Sequence, residues 1–416
     1  MSKQEDVVII GGGVIGVCAA YFLTKAGRTV TLLEQGEIGS GSSYGNAGLI
    51  VPNHVIPLAA PGVLTQGLKW LLNPESPFYV KPRLDFDLLA WLWRFQAACR
   101  EDKMRRAIPV LRDLGRASAA LYRQLVAEEK LDCGYERRGL IMLFKSERGY
   151  EEGLAEARLL REFGLSPQPV SADEVRGLIP SARADIAGGV RFPNDAHLNP
   201  ARFVQELAAR VQALGGTIHT QTKVTGFGRK DHRLVSVKTS GGDFRPQQVV
   251  LAAGSWSPAV ARDLRLRLPV QAAKGYSLTS RRPEACPPIP LLLGEAKVAV
   301  TPLGPLMRLA GTLELAGLDL SINRRRVEAI QRAAGDYLTG LEAPESVEVW
   351  GGLRPCTPDG LPVIGRTAAY DNLIVATGHA MKGMALGPIT GQLVAQLACD
   401  QPPSLDLTPL RVERFG

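Results

Sequence analysis

Val7-Val8-Ile9-Ile10 runs straight into Gly11-Gly12-Gly13-Val14-Ile15-Gly16, four branched apolar side chains followed by a turn of glycines. An unbroken apolar run of this length suits a strand buried on both faces. The spacing Gly11-x-Gly13-x-x-Gly16 lets the backbone turn tightly, approach a pyrophosphate and pack a helix on the strand, while the helix N-terminus offers N–H groups to phosphate. A helix over Val17 to Lys25 follows, Gly27 stands as its stop, and Thr29 to Leu33 makes a second strand ending at Glu34. Glu34 comes 23 residues after Gly11, where a carboxylate accepts hydrogen bonds from ribose hydroxyls. This βαβ start predicts a dinucleotide site through Gly11, Gly13, Val14, Ile15, Gly16, Glu34 and Gln35. The alternative is a glycine turn with a structural role alone. An acid at Glu34 does not separate NAD from FAD, because both present an adenosine ribose to that strand end.

The uncharged run Val7 to Thr24 is not read as a membrane span or signal peptide, since Glu5 and Asp6 precede it and four glycines interrupt it. With 416 residues the chain exceeds what one hydrophobic core usually serves, so two domains are expected. Hydrophobic residues at 45%, charged residues at 22% and a mean hydropathy of +0.00 exclude disorder, collagen and a polytopic membrane protein. The net charge of +8 favours anionic ligands or an acidic membrane surface, and no basic tract points to nucleic acid. Cys18, Cys99, Cys133, Cys286, Cys356 and Cys399 form no close pair, so neither a metal site nor a disulfide framework is expected and a reducing, cytoplasmic location is the simpler reading.

Further along, Pro52 to Pro82 is rich in prolines and scattered aromatics and predicts a long irregular excursion over the ligand. Helices are expected at Asp85 to Arg106, Pro109 to Lys130, Glu151 to Phe163 and Pro200 to Leu214. Gly139 to Phe144 resembles a strand of a different sheet, whereas Val249 to Gly254 and Leu373 to Gly378 look like buried parallel strands of the first domain, so the two domains interleave. The fold class is α/β (α+β overall): a Rossmann-type cofactor domain from 1–80, 190–260 and 350–416, and a substrate domain on a mixed or antiparallel sheet from 81–189 and 261–349.

Gly39-Ser40-Gly41-Ser42-Ser43-Tyr44-Gly45-Asn46-Ala47-Gly48 resembles the flavin-contacting segment of the D-amino-acid oxidase superfamily. Arg354-Pro355-x-Thr357-Pro358-Asp359-Gly360-x-Pro362-Val363-Ile364-Gly365 and Ala376-Thr377-Gly378-His379 with Gly383 resemble its C-terminal signature. With Ala252-Ala253-Gly254-Ser255-Trp256, these blocks follow the superfamily's order through nearly the whole chain. Ser43 to Pro61 is most similar to bacterial D-amino-acid dehydrogenases and their D-hydroxyproline-oxidising relatives, and more distantly so to glycine and sarcosine oxidases. The resemblance implies FAD, contacted also by Ser42, Ser43, Asn46, Ala47, Gly48, Val224, Ala253, Gly254, Gly378, His379, Lys382, Gly383 and Met384, and with no Cys or His in a setting that implies covalent attachment, non-covalent binding is expected. It implies oxidative deamination of D-amino acids, D-proline or hydroxy-D-proline among them, with electrons passed to a quinone or dye-like acceptor. A glycine- or sarcosine-type oxidase releasing hydrogen peroxide and a flavin-bearing relay subunit of a hetero-oligomer remain the alternatives.

A substrate site for an amino acid needs a cation, because a guanidinium orients the carboxylate and aims the Cα–H. Arg354, which matches the arginine of the Gly-Leu-Arg-Pro block in glycine-oxidase-like enzymes, is the leading candidate, with a structural ion pair as the alternative. Arg308 is a second candidate contact, against ordinary surface solvation. Tyr276 offers its phenol to the carboxylate or packs as a strand aromatic, and His54 borders the substrate or the flavin. A helix after Gly383, with Pro388 expected in its first turn, would turn its positive end toward the flavin. Trp70, Trp91, Trp93, Phe78, Tyr79 and Phe95 lie among Lys69, Lys81, Arg83 and Arg94, a mixture that suits peripheral contact with the inner face of a membrane or, more plainly, a core-plus-surface helix.

Overall fold

The computed structural model describes residues 4–63, 76–342 and 344–416. A central sheet carries five parallel strands in the order Leu373–Thr377, Gly242–Leu251, Gln4–Ile10, Val30–Leu33 and Thr217–His219, with Val363–Arg366 antiparallel at one edge. The Gly242–Leu251 strand also begins a three-stranded antiparallel meander with Arg233–Thr239 and Val224–Lys230.

Alternation along the parallel strands explains the continuous apolar runs. Val7 and Ile9 join the core under the helices Val14–Lys25, Pro200–Ala213 and Gly383–Ala398, while Val8 and Ile10 join Phe227, Leu234 and Ala261 on the opposite face. Each side of the sheet buries its own set, so no position in the run can be polar. Gly11 has φ +112, and a methyl group at Gly16 would overlap the Gly11 carbonyl oxygen. The helix therefore starts pressed against the strand end.

The second sheet is mixed, in the order Ser346–Cys356, Gln271–Arg281, Leu306–Leu315, Val298–Leu303, Leu291–Leu293, Leu140–Phe144, Gly188–Phe192 and Gln168–Ser171. Phe78–Val80 adds to Leu306–Leu315. Strands 78–80, 188–192 and 346–356 all belong to the second sheet, so its segments alternate along the chain with those of the first. Helix Arg324–Tyr337 covers one of its faces.

Two helix expectations change. The break falls at Cys99–Arg100, between Phe86–Ala98 and Glu101–Glu128, and Pro109 lies inside the second helix. Burial of Ile108, Leu111 and Leu114 carries that helix through the missing N–H. Pro388 sits in the second turn of Gly383–Ala398, not the first. A methyl group at Gly391 would come within 2.5 Å of the Cys18 backbone, so this helix crosses Val14–Lys25 at very short range.

Of the aromatic and basic stretch, Lys69 and Trp70 lie outside the described residues. Trp91 and Phe95 are buried and stacked at 5.0 Å, while Trp93 is 71% exposed. All six cysteines are free. Among the described residues no helix is long and apolar enough to cross a membrane, and no cluster of ligating side chains could hold a metal ion.

Candidate active site

A cavity of about 2070 Å³ runs from the glycine turn at the parallel sheet to the floor of the second sheet. At its first end it is lined by Gly11, Gly13, Val14 and Ile15, by Glu34 and Gln35 at the next strand end, and by Val224. The Glu34 carboxylate is fixed by Gly12 N–H at 2.7 Å and Gly36 N–H at 2.8 Å. Ser43 Oγ accepts from Val14 N–H at 3.0 Å, and Gly13 provides no side-chain cap to the helix.

Whether these residues fit FAD is tested by the space over the glycines. A methyl group at Gly41 or Gly254 would meet nothing within 4 Å, and one at Gly13 would meet only Ser43 Oγ at 3.5 Å. Bare backbone facing open cavity beside a helix start whose N-cap has no side chain, and a fixed carboxylate, is a cradle for a pyrophosphate and its ribose. Ser42, Ser43, Asn46, Ala47, Ala253, His379, Lys382, Gly383 and Met384 continue the lining toward the second sheet. The helix Gly383–Ala398 also starts without a side-chain cap, at this wall. The residues present fit the dinucleotide.

Gly16, Gly48, Gly378 and Arg308 do not line the cavity. Gly16 packs on Gly11, Gly48 on the Leu198 carbonyl, and Gly378 turns beside Thr357. Arg308 is buried, donating from Nη1 to the Tyr44 and Asn46 carbonyls, each at 2.9 Å, and from Nε to Thr279 Oγ1 at 3.1 Å. It braces the 42–47 segment from behind. Burial holds its pKa below the usual arginine value.

Arg354, from the strand Ser346–Cys356, lines the cavity. Its Nη1 donates to the Thr312 carbonyl at 2.6 Å. Among the described residues it has no carboxylate partner and its Nε and Nη2 have no protein acceptor, although burial lowers its pKa. Tyr276 also lines the cavity, but its phenol donates to Glu314 Oε2 at 2.9 Å beside buried Lys274 and Arg326, with the partly exposed Asp319 on Lys274. Burial, with Glu314 beside it, pushes the Tyr276 pKa up. The phenol is thus committed to a neighbour in this arrangement.

His54 lines the wall with its ring 4.6 Å from Phe192 and Nε2 3.4 Å from Asp195 Oδ2. Its backbone carbonyl accepts from Lys382 Nζ, whose pKa burial lowers to about 8. His379 is buried, with Nε2 2.9 Å from Thr390 Oγ1, and burial lowers its pKa to about 3. It is neutral at physiological pH and holds the loop in place.

Sequence reasoning missed Trp350, Gly275 and the carbonyl of Thr312. Trp350 lines the cavity, and methyl groups at Gly45 or Gly352 would overlap its indole. The ring is therefore wedged between the 42–47 segment and its own strand. The signal was the glycine pair Gly351-Gly352, unreadable without its partner segment.

The sequence pattern of the DAO family, described as FAD dependent oxidoreductase, matches residues 6–397. A D-amino acid dehydrogenase of Methylobacterium radiotolerans is 34% identical over 417 residues, covering 99% of each chain. One from Methylobacterium nodulans is 33% identical, covering 98% of this chain and 99% of that one. Among solved structures, glycine oxidase from Geobacillus kaustophilus superimposes with a TM-score of 0.82 at 24% identity over 98% of both chains.

Proposed function

Because the chain belongs to the DAO family of FAD-dependent oxidoreductases, we propose that it oxidises free D-amino acids, cyclic ones included, to imino acids that water hydrolyses to 2-oxo acids. Bound non-covalently, FAD supplies the acceptor for the Cα hydride. The chain's own task is to bind and orient. The observation that carries this reading is Arg354, which lines the cavity and whose Nε and Nη2 have no protein acceptor among the described residues. That planar edge is the shape that grips a carboxylate through two parallel hydrogen bonds. His54, the half-buried Lys382 and Tyr276 also line this cavity, the Tyr276 hydroxyl staying on Glu314. The uncapped start of the 383–398 helix favours negative charge at its end.

The electrons pass to a quinone or a dye-like acceptor, from a cytoplasmic protein lying against the inner face of a membrane. Supporting this, Leu84, Phe86, Leu89 and Trp93 are all exposed, and the Leu318 and Leu320 side chains, which line the cavity, are exposed as well. These two stretches adjoin, since Arg83 Nη1 donates to the Leu315 carbonyl at 2.8 Å. Exposed apolar groups near basic side chains suit a lipid interface. Sedimentation with anionic vesicles, lost in Leu89→Glu/Trp93→Glu, tests this contact.

The test of the reaction is anaerobic bleaching of the flavin by a panel of D- and L-amino acids, proline isomers, glycine and sarcosine. D-Amino acids should bleach the isolated chain, and bleaching only after a partner subunit is added would instead make it a relay. Likeness to glycine oxidase favours one second reading, an oxidase. Peroxide in stoichiometric yield, with no preference for added dye, would establish it.

A further inference from the structure

Arg354 is held from two sides by features with no other evident purpose. The strand Gln271–Arg281 breaks register against Leu306–Leu315 between Lys274 and Tyr276, and Gly275 occupies the break. Across from it, on the other side, Gly275 pairs with Gly352. A methyl group at Gly275 would overlap Nη1, Cζ and Nη2 of Arg354, so the guanidinium occupies the space where a side chain at 275 would be. On the neighbouring strand, Thr312 has φ +67. A β-branched residue in that region carries about 1–3 kcal/mol of strain, and it is the Thr312 carbonyl that accepts from Arg354 Nη1 at 2.6 Å.

We infer that Gly275 and Thr312 form a seat that presents the Nε and Nη2 edge of Arg354 to the substrate carboxylate. The inference rests on the carboxylate-binding reading of Arg354. Gly275 supplies the flat surface on which the guanidinium lies, and the Thr312 carbonyl ties down the one terminal nitrogen that is not needed for a two-point grip. A free arginine of this length would sample many rotamers, and fixing it beforehand reduces what binding must order. Both are positioning residues, since neither needs to touch substrate.

The probe is benzoate, a carboxylate without an amine, titrated into the FAD-loaded protein and followed by the flavin absorbance change and by calorimetry. Gly275→Ala should retain FAD, weaken benzoate by about tenfold or more, and raise KM for a D-amino acid more than it lowers kcat. In an Arg354→Ala background, Gly275→Ala should change benzoate affinity no further. Should Gly275→Ala alone fail to fold, the double variant should fold, because removing the guanidinium vacates the overlapping space. Parent-like benzoate affinity in Gly275→Ala, an equal loss in both backgrounds, or a misfolded double variant overturns the seat. Arg354→Ala with undiminished benzoate affinity overturns the underlying reading of Arg354 instead, whatever Gly275→Ala does.

Discussion

Tyr122→Phe removes a single oxygen from a fully buried ring and should nevertheless destabilise the protein measurably. Pro388 has no N–H, so the carbonyl of Met384, four residues earlier in the helix Gly383–Ala398, receives no helical hydrogen bond. Tyr122 Oη donates to that carbonyl at 2.5 Å from the helix Glu101–Glu128. Met384 is itself only 2% exposed, so water does not replace a lost donor. An unsatisfied buried carbonyl costs about 1–3 kcal/mol. The phenyl ring would keep its contact with Phe203 at 4.9 Å, which confines the loss to the polar interaction. Pro388→Ala restores an N–H at the right place, and in that background Tyr122→Phe should cost less than about 1 kcal/mol. Urea unfolding of the FAD-loaded parent, both single variants and the double variant measures the coupling. Flavin fluorescence serves as a second probe, because Gly383 and Met384 line the cavity. A Tyr122→Phe cost within about 0.5 kcal/mol of zero, or the same cost in both backgrounds, would refute the reasoning.

Arg354→Ala should leave FAD content unchanged and lower kcat/KM for D-amino acids by about 30- to 1000-fold, or about 2–4 kcal/mol. Arg354→Lys, which keeps the charge without the planar edge, should fall between Ala and the parent in the same steady-state assay. Arg308→Met should act on the cofactor, because it strips the Tyr44 and Asn46 carbonyls of their donor. Loss of about 1.5–3 kcal/mol there corresponds to roughly 10- to 150-fold weaker FAD binding by fluorescence titration. Lys382 has a pKa lowered to about 8 by burial, with Glu156 opposing the shift. Between about pH 8 and 10.4 the unfolded chain therefore binds a proton that the folded chain does not. Stability should rise with pH across that window, and Lys382→Met should remove the rise in urea midpoints.

The cofactor end of the molecule was legible because its determinants are contiguous. Val7 to Gly16 holds strand, turn and helix start within ten residues, and Glu34 stands one strand later. Local sterics and alternating burial specify these elements before any long-range contact forms. The helix break at Arg100 was not legible. Pro109 is the stronger local signal, and only the burial of Ile108, Leu111 and Leu114 overrides it.

Arg308 and Tyr276 show where residue type ceases to inform. A guanidinium and a phenol suit a carboxylate site by their chemistry, yet one is enclosed by the 42–47 segment and the other is engaged by Glu314. Chemistry proposes a partner, and packing assigns it.

The sequence by itself determined the Rossmann-type start and the interleaved sheets and singled out Arg354 as a candidate for the substrate carboxylate, since motif spacing and hydrophobic period are written in neighbouring residues. Tertiary structure alone decided how that arginine is held. Its seat joins Gly275, Thr312 and Arg354 from three adjacent strands, and the carbonyl orphaned by Pro388 finds its donor 262 residues away in Tyr122. Contacts between segments so far apart arise only when the whole core closes, because each element is marginal alone and no local pattern encodes its distant partner.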